Sequence, residues 1–209
     1  MTIKAIVFDM DGTLVDAKEW HFHALNDALS IFGLEISAQD HESRFDGLPT
    51  RKKLEILSEE MGLPKSLHNI ISSIKQDRTL RFVANECFPK MEQLLMFQWI
   101  RSKGLLLAVA TNSIRRTAEQ MLSSAGLLGQ LDVLLTNEDV SLPKPDPEIY
   151  LRAAFELGVL PHECLVVEDN EYGITSATTA GCQVVRVSKV EQTRISLIET
   201  ALSNEGLIK

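Results

Sequence analysis

The stretch Lys4-Ala5-Ile6-Val7-Phe8-Asp9-Met10-Asp11-Gly12-Thr13 decides how this chain is read. Its first five residues form a short β-rich apolar run, and the run stops abruptly at two acids set two positions apart. That is the pattern of a buried strand delivering carboxylates at its C-terminal end. The same pattern recurs further along. Residues 105–110 (LLLAVA) stop at Thr111-Asn112-Ser113, residues 133–136 (VLLT) stop at Asn137, and residues 164–167 (CLVV) stop at Glu168-Asp169. Residues 183–187 (QVVRV) are a fifth strand candidate.

Helical stretches intervene near 90–103, 114–125, 147–157 and 171–180, each followed by a glycine: Gly104, Gly126, Gly158 and Gly181. Glycine is expected there because it enters the left-handed conformation that ends a helix. Asp146-Pro147-Glu148 marks one start, with the acid as N-cap and proline at the first helical position. Strands alternating with helices imply an α/β fold, a Rossmann-like doubly wound parallel sheet that binds ligands beyond the carboxyl ends of its strands. The polar strand ends are therefore expected to meet at one edge.

Residues 17–87 break this rhythm and read as helices over 18–32, about 50–61 and about 66–84. Ala24, Leu25, Ala28, Leu29 and Phe32 form one apolar stripe, and Leu67, Ile70, Ile71 and Ile74 another. The organisation expected is an α/β core of 1–16 and 88–209, with 17–87 inserted after the first strand as an all-helical cap domain. The chain shows neither an internal repeat nor a low-complexity segment.

At 209 residues and 44% hydrophobic, the chain can fill one sizeable core plus a smaller appended unit. Acidic residues outnumber basic ones by 29 to 21, for a net charge of −8, which argues against nucleic acid as the main ligand. A small phosphate is not excluded, since a cation and a few amides can reverse the local sign. No stretch nears the roughly 20 apolar residues of a membrane helix, and Asp9 and Asp11 interrupt the early apolar run, so a cytoplasmic protein without membrane association is expected. Cys87, Cys164 and Cys182 lie far apart with no CxxC, which suits reduced thiols better than a disulfide frame or a zinc site.

Two aspartates two residues apart at one strand end cannot share a role, because their side chains leave in different directions and like charges destabilise each other. A divalent cation resolves the conflict. Oxygen-only, carboxylate-rich surroundings suit Mg²⁺, whereas zinc calls for His or Cys. Glu168 and Asp169 are positioned to complete its shell.

The run Asp9-Met10-Asp11-Gly12-Thr13-Leu14-Val15-Asp16 resembles the first signature of the haloacid dehalogenase superfamily. Thr111-Asn112 is similar to the second signature, and Lys144 within Lys144-Pro145-Asp146-Pro147-Glu148-Ile149-Tyr150 to the third. Glu168-Asp169-Asn170 followed by Gly173 resembles the fourth. Alone, Asp9 or Thr111 reads as a turn or cap residue and Lys144 as a solvated lysine. Four signatures in order at strand ends are a different matter. The helical insertion falls where phosphoglycolate phosphatases and β-phosphoglucomutases carry their cap.

The resemblance implies roles. Asp9 would be the nucleophile and a metal ligand, and Asp11 the general acid and base, with its backbone carbonyl on the metal. Thr111 and the amide of Asn112 would hold phosphate oxygens, and Lys144 would neutralise the phosphoryl group and the nucleophile. Asp169 would ligate Mg²⁺, with Glu168 directly on the metal or just behind it. The substrate implied is a small phosphorylated metabolite, handled by a monomer.

In the insertion, His21 matches the position of a mutase histidine that touches the general acid, although a histidine on an amphipathic helix also has a structural reading. Residues 47–52 (GLPTRK) resemble the loop and helix start from which such caps reach the site, so Thr50 and Arg51 are candidates for reading a substrate anion, with Lys52 and Lys53 as surface residues. Ser113 and Arg115 are candidates for the distal part of the substrate. Departures from the mutase pattern are Ala17 in place of the hinge threonine, an arginine out of register, and Ser113-Ile114-Arg115 at the distal-phosphate positions. They favour a phosphatase over a phosphosugar mutase. A haloacid dehalogenase lacks an acid at the Asp11 position and needs no metal, and a non-catalytic binding protein on this fold would have lost a nucleophile or metal ligand.

Overall fold

The structure, a computed structural model, describes residues 2–203. In chain order β1 (Ala5–Phe8) leads to α1 (Lys18–Ser30), a single turn α2 (Ala38–Asp40), α3 (Thr50–Met61) and α4 (His68–Glu86). There follow α5 (Met91–Ser102), β2 (Leu106–Ala110), α6 (Arg115–Ser124), β3 (Val133–Leu135) and α7 (Glu148–Glu156). The described chain closes with β4 (Cys164–Glu168), α8 (Glu171–Thr179), β5 (Gln183–Arg186) and α9 (Ile195–Ser203). It divides into two compact units, one of residues up to Asp16 and from Cys87 onward, the other Ala17–Glu86.

The first unit is a five-stranded sheet in the order β3-β2-β1-β4-β5. All four strand pairings are parallel. β1 is central: Ala5 pairs laterally with Leu106 and Cys164, and Phe8 with Val109 and Val167. A strand flanked on both sides is covered on both faces, which is why Ala5, Ile6, Val7 and Phe8 are all fully buried or nearly so. Alternation along the strand sorts them. Ala5 and Val7 join Ala108, Ala110, Tyr150, Ala153 and Val166 in one apolar cluster, while Phe8 stacks on Phe97 of α5 with ring centroids 5.4 Å apart.

Local signals act as expected at the helix ends. Gly104, Gly126, Gly158 and Gly181 all take left-handed φ values. Asp146 caps α7 as its side chain accepts from the Glu148 amide at 3.0 Å, although the regular helix starts at Glu148 and not at Pro147.

The regular elements of the second unit are all helices. Leu25, Ala28, Leu29, Phe45, Leu54, Leu57 and Ile71 form its core, with Phe32, Leu67 and Ile74 packed against it. Ile70 departs from the expected stripe and is half exposed; α4 instead turns Thr79 and Val83 inward. Lys53 corrects the surface reading, being 5% exposed. One element has no periodicity signal in the sequence: residues His41–Phe45 form a π-helical turn, short enough that the chain's apolar pattern does not announce it.

Candidate active site

Because all five strands are parallel, their polar ends come out on one edge. β1 ends at Asp9, whose amide donates to the Val167 carbonyl at 2.9 Å; β2 ends at Thr111, whose amide donates to the Leu135 carbonyl at 3.0 Å. The backbone must then turn sharply. Gly12 adopts φ 87°, and its amide donates to the Val15 carbonyl at 2.7 Å, a closed turn that a side-chain-bearing residue enters only with strain. This turn carries Asp11, whose Oδ2 accepts from the Ser113 hydroxyl at 2.8 Å.

Lys144 arrives from the loop after β3. Its Nζ donates to Asp9 Oδ1 at 2.7 Å and to Glu168 Oε1 at 2.6 Å, with all three side chains buried. Asn112 holds the lysine's backbone: its Oδ1 accepts from the Lys144 amide at 3.1 Å and its Nδ2 donates to the Lys144 carbonyl at 3.4 Å. Burial disfavours the lysine's charge, yet Asp9 and Glu168 outweigh it and hold the ammonium above the usual lysine range. The Asp9 carboxyl is shifted upward too, which for an acid favours the neutral form. Burial, and then Glu168, push its carboxyl well above the ordinary carboxylate range, with Lys144 opposing.

Oxygens of Asp9, Glu168 and Asp169 all lie within 4.8 Å of one another. One ammonium cannot balance three carboxylates at that spacing. The donor set is all oxygen, with neither thiolate nor imidazole, so the residues fit a hard divalent cation of the Mg²⁺ type.

Glu168 is bound at every corner. Oε1 accepts from Lys144 and from the Tyr150 hydroxyl at 2.9 Å, and Oε2 accepts from the amides of Asp169 at 3.0 Å and Asn170 at 3.1 Å. Gly173 in the first turn of α8 makes room for this carboxylate. Tyr150 and Gly173 stand inside the quoted signatures, but their contacts depend on how α7 and α8 approach β4, which no spacing in the sequence encodes.

Thr111 is buried and its hydroxyl accepts from the Ser113 amide at 3.0 Å. The Arg115 guanidinium donates to Asp139 at 2.6 Å and to Glu119 at 3.4 Å. In the helical unit, His21 Nδ1 lies 3.0 Å from Lys75 Nζ. Thr50 opens α3, and Arg51 is 83% exposed with its guanidinium on Glu55 at 3.1 Å, one turn along the same helix. Arg51 is thus engaged on the surface of its own helix.

Comparison with known proteins agrees with this geometry. Residues 6–187 match the family of haloacid dehalogenase-like hydrolases. The phosphorylated carbohydrates phosphatase of Thermotoga maritima is 32% identical over 184 residues, covering 87% of this chain and 83% of that protein. The fructose-1-phosphate phosphatase YqaB of Escherichia coli is 28% identical over 183 residues, covering 87% and 95%. Among solved structures, β-phosphoglucomutase from Clostridium difficile superposes with a TM-score of 0.84 at 20% identity, covering 97% of this chain and 98% of that one. No helix among the described residues is long and apolar enough to cross a membrane. The chain is an enzyme of the haloacid dehalogenase-like hydrolase family.

Proposed function

We propose that this enzyme is a Mg²⁺-dependent phosphatase that hydrolyses a small phosphorylated sugar or related metabolite through an aspartyl-phosphate on Asp9. The observation that carries the reading is the buried Lys144 ammonium bridging Asp9 and Glu168 at 2.7 and 2.6 Å, beside Asp169 and at the strand ends that hold Thr111 and Asp11. Named relatives that act on phosphorylated carbohydrates and on fructose 1-phosphate support the substrate class.

Phosphoryl transfer asks a protein mainly for positioning and for charge to meet charge. Asp9 attacks phosphorus; an Asp9–phosphorus bond forms as the ester oxygen departs, and Asp11 gives that oxygen a proton. Water then attacks the aspartyl-phosphate, Asp11 takes the water's proton, and inorganic phosphate leaves with Asp9 restored. Thr111 and the Asn112 amide hold the phosphoryl oxygens while Lys144 favours the ionised form of Asp9 and neutralises the developing charge. Asp9, Asp169 and the Asp11 backbone carbonyl would hold Mg²⁺, with Glu168, whose oxygens already accept four hydrogen bonds, fixed behind them. When bound, the cation would supply Lewis-acid polarisation of the phosphoryl group.

The test is hydrolysis of p-nitrophenyl phosphate with and without Mg²⁺, followed by a phosphate-release screen over sugar phosphates, polyol phosphates, phosphoglycolate and nucleotides. Turnover that requires Mg²⁺ and is lost in Asp9→Asn is expected. Equal turnover in Asp9→Asn, or none in the wild type, rejects the reading. Isomerisation of a sugar phosphate with little inorganic phosphate released would identify a mutase instead.

A further inference from the structure

We propose that Tyr150 is a positioning residue of the phosphoryl-transfer site, holding the Glu168–Lys144 pair so that the lysine ammonium stays on Asp9. The inference rests on the phosphatase reading above and concerns a residue that touches neither substrate nor the reacting atoms.

Tyr150 is fully buried, in an apolar cluster with Val7, Ala108, Ala110 and Ala153, which is an environment a phenylalanine would fill equally well. A buried hydroxyl costs free energy unless it finds a partner, so its presence needs a reason. The partner is Glu168 Oε1, at 2.9 Å. The same ring lies under the Lys144 ammonium, with Nζ 4.9 Å from its centroid. Burial, and after it the Glu168 and Asp9 carboxylates, push the phenol well above its usual value, so it is the hydroxyl that donates.

The consequence lies in how one ammonium is shared. Lys144 is drawn by two carboxylates at nearly equal distances, 2.7 Å to Asp9 and 2.6 Å to Glu168. The Tyr150 hydroxyl takes up part of the charge on Glu168 Oε1, and the amides of Asp169 and Asn170 take up that on Oε2. Glu168 therefore anchors Lys144 without monopolising it. Remove the hydroxyl and Glu168 Oε1 keeps one fewer donor, so its pull on the ammonium strengthens at the expense of Asp9.

Tyr150 is also held firmly enough to do this. The Asp146 side chain accepts from the Glu148 amide, and the Asp146 carbonyl accepts from the Ser176 hydroxyl of α8 at 2.6 Å. The Tyr150 amide closes the first turn of α7 onto the Pro147 carbonyl at 3.1 Å. Helix α7 is tied to α8 just where the tyrosine emerges.

Tyr150→Phe is the test, since it keeps the ring and removes only the hydroxyl. With p-nitrophenyl phosphate and Mg²⁺, kcat is expected to fall about 5- to 30-fold with KM within about twofold, as for loss of a hydrogen bond to a charged group. A second measurement needs no turnover: the Lys144 side-chain ammonium signal in a ¹H–¹⁵N spectrum of the protein without added Mg²⁺, assigned by its absence in Lys144→Arg. That signal is expected to be displaced or lost in Tyr150→Phe, with the fold retained in circular dichroism. If either kcat or the ammonium signal is unchanged in Tyr150→Phe, the positioning role is overturned. Absence of turnover in the wild type defeats the phosphatase reading instead, and the ammonium signal then decides the role of Tyr150 alone.

Discussion

Gly173 lies so close to Glu168 that a Cβ built on it would stand 1.6 Å from Oε1 and 2.0 Å from the carboxyl carbon. Helix α8 can approach β4 only because position 173 has no side chain. The carboxylate cannot simply swing aside, since four donors hold it. Gly173→Ala is therefore expected to displace Glu168 and loosen Lys144. Stability should drop by about 1–3 kcal/mol in urea unfolding, as for overpacking, and kcat by at least about tenfold. Wild-type turnover in this variant would show that Glu168 is not needed where it stands.

The hydrogen bond from Ser113 to Asp11 Oδ2 makes Ser113 a support for the proposed general acid and not only a candidate for substrate contact. Ser113→Ala should lower kcat about 3- to 10-fold and leave KM nearly constant, because the lost bond orients Asp11. A rise in KM at constant kcat would return Ser113 to the substrate. Steady-state kinetics on p-nitrophenyl phosphate and on the best natural ester separate the two.

Replacing Lys144 by methionine leaves Asp9 and Glu168 buried side by side without their ammonium. Uncompensated buried charge costs about 3–5 kcal/mol. Mg²⁺ should offset part of that loss, so the Tm of Lys144→Met is expected to rise more on adding Mg²⁺ than the wild-type Tm does. Thermal unfolding with Mg²⁺ and with a chelator measures both. Turnover should fall by at least about 100-fold whatever the metal concentration.

His41, in the helical unit, is buried and its Nε2 has no hydrogen-bond partner among the described residues. Burial first, then Lys53, with smaller contributions from His21 and Lys75, push its pKa down to about 4, against the opposing carboxylate of Asp46. An unfolded histidine titrates near 6.5, so between about pH 6.5 and 4 the unfolded chain binds more protons than the folded one. Stability is full above 6.5 and declines as pH falls through that window. Allowing for screening, the loss is about 1–2 kcal/mol. Urea unfolding at pH 7 and pH 4.5 should show His41→Phe losing less stability than the wild type between the two; an equal loss would remove His41 from the account.

Much of the fold is legible in the chain itself because its signals are local. An apolar run ending in acids marks a strand end whatever surrounds it, and a glycine after a helical stretch takes left-handed φ for steric reasons that need no partner. Strand limits agree with expectation to within a residue at all five strands, and Asp146 caps α7 as its position suggests. Where expectation fails, the cause is not local. Lys53 sits in a run of basic residues that reads as surface, yet it is buried; Ile70 sits on an apolar stripe, yet it is half exposed. Charge runs and periodicity report which residues prefer water, not which face a neighbouring element covers.

Residue types and their spacing thus determined on their own that Asp9, Asp11, Thr111, Glu168 and Asp169 end up at or near one sheet edge, since parallel winding sends every strand's carboxyl end the same way, whereas Lys144 joins them only through its resemblance to the third signature. Only the tertiary structure decided what each does there. That Lys144 is shared between Asp9 and Glu168, that Tyr150 holds Glu168, that Ser113 faces Asp11 and that Arg115 turns to Asp139 are facts about ångström-scale approach. Such approaches are set by how helices pack on the sheet, and a contact between residues 18 to 135 positions apart leaves no periodicity for a single sequence to display.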